Sequence, residues 1–161
     1  YFGGGWGNYY LLLYFPEVWS YELFETYLNQ KINPWSKRGY AYSTDYENYQ
    51  GRKKYAEETA GGYYACRLPV LEIMKQEKRQ YSCLALRFIS PEYNVPLGVW
   101  VCREAARKSI NSNPITFESE KLVIDYAVEL VKRKFSFDLS LLLRESKLIL
   151  QKKQQKRLMD F

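Results

Sequence analysis

The sequence contains no histidine at all. That single absence removes the commonest general base, the Ser/His and Cys/His dyads, and every zinc site built on imidazole. Cysteine is scarce as well. Cys66, Cys83 and Cys102 stand far apart and form no CxxC pair, so they read as buried free thiols of a reducing compartment rather than a disulfide framework or a metal knuckle. Long apolar runs are also missing. The richest, Tyr9 to Phe15, is far too short to span a bilayer, and no basic segment leads into an apolar one as in a secretory signal. A soluble, cytoplasmic protein follows from these absences. Residue 1 is a tyrosine rather than an initiator methionine, which reads as a fragment or a processed form.

What is present favours a folded body. The 161 residues are 47% hydrophobic, 17% aromatic and 26% charged, enough apolar material for one core and too little length to require two. The net charge of +6 is unevenly spread. Arg144 to Phe161 carries six Lys/Arg against two acids, leaving only +2 on everything before it. A basic tail on a nearly balanced body points to a local contact with a polyanion.

Along the chain, Trp6 to Phe15 reads as a buried strand ending at Pro16. Ser20 offers an N-cap for a helix carrying Leu23, Phe24, Tyr27 and Leu28. Asn29 to Tyr55, poor in aliphatic residues and rich in tyrosine, reads as a long, functional or partly mobile loop. A helix is expected over about Thr59 to Arg79 with Tyr64, Leu68, Leu71 and Met74 on its apolar face; Pro69 must kink it or delay its start. Tyr81 to Ile89 reads as a strand. Val95 to Ile110 reads as a helix whose first regular turn is near Val99. Glu118 to Lys134 is a strongly periodic helix facing inward with Val123, Tyr126, Ala127, Leu130 and Val131. A last helix over Leu139 to Leu150 fades into the polar stretch Gln151 to Arg157. The expectation is an α+β fold: a mostly helical single domain over residues 1–150 with a small sheet, then a flexible C-terminal tail over 151–161.

The tail carries the sharpest motif. Gln155, Leu158 and Phe161 stand at the first, fourth and seventh positions, with Met159 between the last two. In one 3₁₀ turn, residues three apart share a face, so Leu158 and Phe161 form one apolar plug, with Gln155 free to hydrogen-bond. This looks like a PCNA-interacting peptide, the segment by which partners dock on the DNA sliding clamp, shortened by one aromatic because the sequence stops at Phe161. The alternative is that Leu158 and Phe161 finish the last helix against the body.

In the middle, Lys37, Arg38, Arg52, Lys53 and Lys54 interleave with Tyr40, Tyr42, Tyr46 and Tyr49. Cations neutralise phosphates and tyrosine faces stack on exposed bases, each stack contributing roughly 1–3 kcal/mol. The alternative is a solvated loop whose tyrosines pack inward. Arg67, Arg87 and Arg103 either converge as phosphate clamps or satisfy Glu58, Glu72, Glu92 and Glu104 in buried ion pairs. Ala60-Gly61-Gly62 either opens a helix to phosphate or makes a tight turn or close packing against another backbone.

Gly51-Arg52-Lys53, Glu58 to Ala65, Arg67-Leu68, Val70-Leu71-Glu72, Pro91-Glu92-Tyr93, Pro96 to Trp100 and Arg103-Glu104 occur in an order that resembles the C-terminal part of archaeal Nre proteins, and Trp19-Ser20 fits the same pattern. Pro69 departs from it. The resemblance implies an archaeal DNA repair factor acting with the sliding clamp (PCNA) and DNA, at the nucleoid, with any zinc element confined to an N-terminal portion that these residues do not include. No catalytic residue, metal ligand or cofactor is assigned to this stretch. The competing reading, a metal-dependent nuclease, would call for Mg²⁺ held by clustered acids from among Asp45, Glu47, Glu57, Glu58, Glu92 and Glu104.

Overall fold

The computed structural model describes residues 1–28, 41–94 and 97–154. Its centre is a five-stranded sheet made of β1 (Phe2–Gly5), β2 (Asn8–Phe15), β3 (Ser20–Tyr27), β4 (Ala41–Glu47) and β5 (Ser82–Ile89), in the spatial order β1-β2-β5-β3-β4. β3 and β5 run parallel, from Ser20 beside Ser82 to Tyr27 beside Ile89, and every other pair is antiparallel. Five helices complete the α+β domain: α1 (Ala60–Glu77), α2 (Val99–Ile110), α3 (Glu120–Phe135), α4 (Ser140–Glu145) and α5 (Lys147–Gln154).

Strand alternation divides the core in two. Tyr10, Leu12, Tyr21, Leu23, Cys83 and Ala85 point to one face, where Tyr63, Cys66 and Val70 of α1 and Ala105 and Ala106 of α2 cover them. Leu11, Leu13, Phe15, Phe24, Leu84, Leu86 and Phe88 point to the other, under Ala127 and Val131 of α3, Leu142 of α4, and Leu148 and Ile149 of α5. Helices on both faces leave β5 buried along its whole length, so its sequence is apolar nearly throughout instead of alternating. All three cysteines are buried free thiols.

Several elements depart from the sequence reading. Ser20–Tyr27 is a strand, not a helix. Its leucine and aromatic residues match a helical stripe only because two buried acids, Glu22 and Glu25, interrupt the period-two pattern of a strand covered on both faces. Within the expected loop, Ala41–Glu47 forms the edge strand β4. Trp6 and Gly7 lie outside β2 as the two-residue turn from β1, both at positive φ. A side chain at Gly7 would lie 2.3 Å from the Tyr93 backbone nitrogen, so glycine is required there.

The apolar face assigned to α1 is only partly correct. Tyr63, Cys66, Pro69, Val70 and Met74 are buried, whereas Leu68 is 45% exposed. Pro69 lies inside the helix. α2 begins at Val99, and Val95 and Pro96 lie outside the described residues. In α3, Ala127 and Val131 are buried, Val123 and Leu130 pack at the edge of the core, and Tyr126 is 40% exposed. The last helix is broken at Ser146, whose backbone is extended, and its second piece reaches Gln154, four residues into the stretch assigned to the tail.

Candidate nucleic-acid interface

α1 organises the basic and aromatic residues, and carboxylates from the sheet hold it in place. Its start has no side-chain cap of its own. Asp45 of β4 supplies one from outside. Oδ2 accepts from the Glu58 amide at 3.0 Å, the Thr59 amide at 2.7 Å and the Thr59 hydroxyl at 2.9 Å, and Oδ1 accepts from the Glu57 amide at 3.4 Å. Successive amides at a helix start form a ready anion site, and here the anion is the protein's own. Burial alone would raise the Asp45 carboxyl, but the Thr59 amide and hydroxyl, Arg52 and the Glu57 amide outweigh it and hold it below the usual aspartate value.

The glycines behind this cap serve close packing. A side chain on Gly62 would lie 2.1 Å from Glu25 Oε1, so that carboxylate presses directly against the helix. Glu25 Oε1 also accepts from Arg87 Nη1 at 2.5 Å, while the guanidinium's other nitrogens donate to Asn8 Oδ1. Arg87 is 5% exposed. It crosses from β5 to β2 and β3 as an internal tie.

The other two arginines lie elsewhere, so the three do not converge. Arg67, on α1, donates Nε to Glu47 Oε1 at 2.9 Å and sits over the Trp19 ring at 5.4 Å; Trp19 Nε1 donates to the same oxygen at 2.8 Å. Arg103, on α2, pairs with Glu104 at the surface. The partners are thus Glu25, Glu47 and Glu104. Of the four acids expected, Glu104 alone pairs with one of these three; Glu72 pairs with Arg107, and Glu92 accepts from the Tyr9 hydroxyl.

Arg52 is committed to its own loop. Its three nitrogens donate to the carbonyls of Tyr46, Lys54 and Tyr55, its charge pairs with Asp45 at 3.1 Å, and its plane lies 5.1 Å from the Tyr63 ring centre. That clamp sets the loop leading into α1. Lys53 and Lys54 are exposed beside it and form no ion pair among the described residues. Tyr55 is 64% exposed and packs on Tyr64 with ring centres 4.6 Å apart. Tyr42 packs inward on Phe24. Lys37, Arg38 and Tyr40 lie outside the described residues, as do Gln155, Leu158, Met159 and Phe161.

A feature that the sequence reading missed lies at the other end of α1. A groove of about 540 Å³ is lined by Trp19, Arg67, Leu71, Met74, Lys75, Lys78, Arg79 and Gln80. The run of cations in Lys75 to Arg79 was visible in the sequence. Its pairing with Trp19 was not, because that contact joins residues far apart in the chain.

The acids that a nuclease would need are dispersed. Asp45 caps α1, Glu47 holds Trp19 and Arg67, and among the described residues no group of three or more His, Cys, Asp or Glu could hold a metal ion. Among those residues, too, no helix is long and apolar enough to cross a membrane.

Residues 47–161 match the family described as Archaeal Nre, C-terminal. The chain is 39% identical over 113 residues to DNA repair protein NreA of Archaeoglobus fulgidus, covering 70% of this chain and 28% of that protein. It is 39% identical over 102 residues to DNA repair protein NreA of Haloferax volcanii, covering 63% and 24%. With DNA repair protein NreB of Archaeoglobus fulgidus the identity is 30% over 155 residues, covering 96% and 38%. The chain therefore spans only about a quarter to two fifths of the length of these relatives. No solved structure matches it. The matched residues include the Asp45-capped helix α1 and run on through α5, and the chain belongs to the archaeal Nre family.

Proposed function

We propose that the chain is the part of a DNA repair factor that joins the sliding clamp to DNA, with Gln155, Leu158, Met159 and Phe161 as the clamp peptide and the body as the DNA or partner contact. The relatives' names supply the repair context. The observation that carries the clamp reading is the anchorage of α5. Glu22 Oε2 accepts from the Ser146 hydroxyl at 2.5 Å and the Leu148 amide at 3.0 Å, and Oε1 accepts from the Lys147 amide at 3.0 Å. Farther along, Gln151 meets the Tyr46 hydroxyl, and Lys152 pairs with Glu17 and Glu120.

The helix is thus pinned to within three residues of Gln155, where the peptide pattern begins. A pinned helix ahead of a short motif fixes its point of attachment to the body. Such a peptide orders on binding, so a short tether keeps the body near the DNA that the clamp holds. This work would take place in the cytoplasm, at the nucleoid.

Calorimetric titration with an archaeal sliding clamp tests the reading, using the intact chain and a Leu158→Ala, Phe161→Ala variant. Saturable binding that is lost in the variant is the expected outcome. An intact chain that binds no clamp would sink the peptide assignment.

A further inference from the structure

The groove at the C-terminal end of α1 brings the outer edge of the core, at Trp19, Leu71 and Met74, beside a cluster of cations. Its floor is apolar, made of Leu71, Met74 and the edge of Trp19, and its rim is cationic, made of Arg67, Lys75, Lys78 and Arg79. No acid lines it. The nearby carboxylates on α1 and β4 are engaged: Glu47 holds Arg67 and Trp19, Glu72 pairs with Arg107, and Glu77 accepts from the Tyr81 hydroxyl at 2.7 Å. The lining itself is therefore cationic. Lys75 and Lys78 form no ion pair among the described residues, and both are exposed.

The helix C-terminus attracts cations, but its partial charge is only about half an elementary charge. Two uncommitted lysines three residues apart exceed that and repel each other when nothing lies between them. Trp19 is held from behind by Tyr21, stacked at 5.9 Å, and from the side by Glu47 and Arg67, so the wall of the groove is built before any ligand arrives. The volume of about 540 Å³ falls within the roughly 300–1,000 Å³ of ordinary ligand clefts, enough for a nucleotide.

We propose that this groove seats a segment of single-stranded DNA, with phosphates on Lys75, Lys78 and Arg79 and a base or sugar against Leu71, Met74 and Trp19. The inference deepens the DNA-binding part of the proposed function and rests on it. A single strand fits better than a duplex because the apolar floor has value only to base faces or sugars that are unpaired and reachable. Arg67, already paired with Glu47, positions the tryptophan and sets the local field.

The test is fluorescence anisotropy of a labelled oligothymidylate of about 12 nucleotides, titrated with the intact chain, a Lys75→Glu, Lys78→Glu variant, and a Lys132→Glu, Lys134→Glu variant of equal net charge altered on α3. Circular dichroism checks that each folds. The expected result is a loss of at least tenfold in affinity for the groove variant and far less for the α3 variant. Leu71→Ala should weaken binding without changing its salt dependence. Equal losses in the two charge variants would overturn the groove while leaving DNA binding by the body intact. No binding by the intact chain would overturn both, and the clamp titration would still report on the peptide. Tighter binding to a duplex of the same length would overturn the single-stranded assignment.

Discussion

Asp45 shows how much one carboxylate can organise. It satisfies three consecutive amides and a hydroxyl ahead of α1 and pairs with Arg52, which in turn holds the loop carrying Lys53 and Lys54. A cap of this kind contributes about 1–2 kcal/mol, and removing it would also leave Arg52 without its counter-charge. Because folding holds the Asp45 carboxyl below its usual value of 3.8, its contribution is fully present above that pH and is lost as pH falls through the lowered value. Asp45→Asn should therefore cost about 1–2 kcal/mol at neutral pH and flatten the acid limb of the stability curve below about pH 3.8. Urea unfolding across that range measures both; an unchanged acid limb would show that other carboxylates govern it. The residue was visible as an acid but not as a cap, since its amide partners lie 12 to 14 positions away.

At the scale of elements, legibility followed the source of each element's stability. α2 and α3 came through because their signals are local: a glycine before Val99, a serine cap whose Oγ accepts from the Leu122 amide, and a periodic face. β2 and β5 came through as apolar runs between turn signals. β3 did not, because its two buried acids serve distant partners: Glu25 holds Arg87 and Glu22 holds α5. For the same reason the site was half legible. Lys53 and Lys54 are exposed, whereas Arg87 and Arg52 turn inward to partners that no spacing reveals. Glu22→Ala would leave the Ser146 hydroxyl and two amides without their acceptor, at a cost of about 2–4 kcal/mol. Denaturant unfolding gives the cost, and hydrogen exchange at Lys147 and Leu148 should rise before that of β5. Uniform exchange across both would mean that α5 does not open separately. Burial raises the Glu22 carboxyl, against the pull of Ser146 and the Leu148 and Lys147 amides. Its pH effect therefore opposes that of Asp45: its share of stability is present at low pH and declines as pH rises through the raised value.

On the scale of the whole molecule, the sheet separates the two proposed contacts. α1 and its groove cover one face, and α5 covers the other. Both nonetheless lie at the same end. Lys152 of α5 reaches Glu17 and lies 4.3 Å from the Phe15 ring centre, and Trp19, two residues beyond Glu17, lines the groove. The end of α5 and the groove beside Trp19 thus lie on opposite faces of the sheet at one end of the domain and share no side chain among the described residues. Independent sites on a rigid body bind without competition, and a coupling appears only if one ligand changes the equilibrium that the other reads. The oligothymidylate should therefore bind with the same affinity, within about twofold, whether or not the peptide is saturated by clamp. Anisotropy titration at both extremes measures this. A marked loss on adding clamp would mean that the peptide reaches round the edge into the groove, which would make the two contacts alternatives instead of a bridge. If both bind together, a clamp that already encircles the DNA converts docking into a high local concentration of that DNA at the groove, so a single strand on the same molecule, too weakly bound to be held alone, is captured, whereas a free oligonucleotide gains nothing.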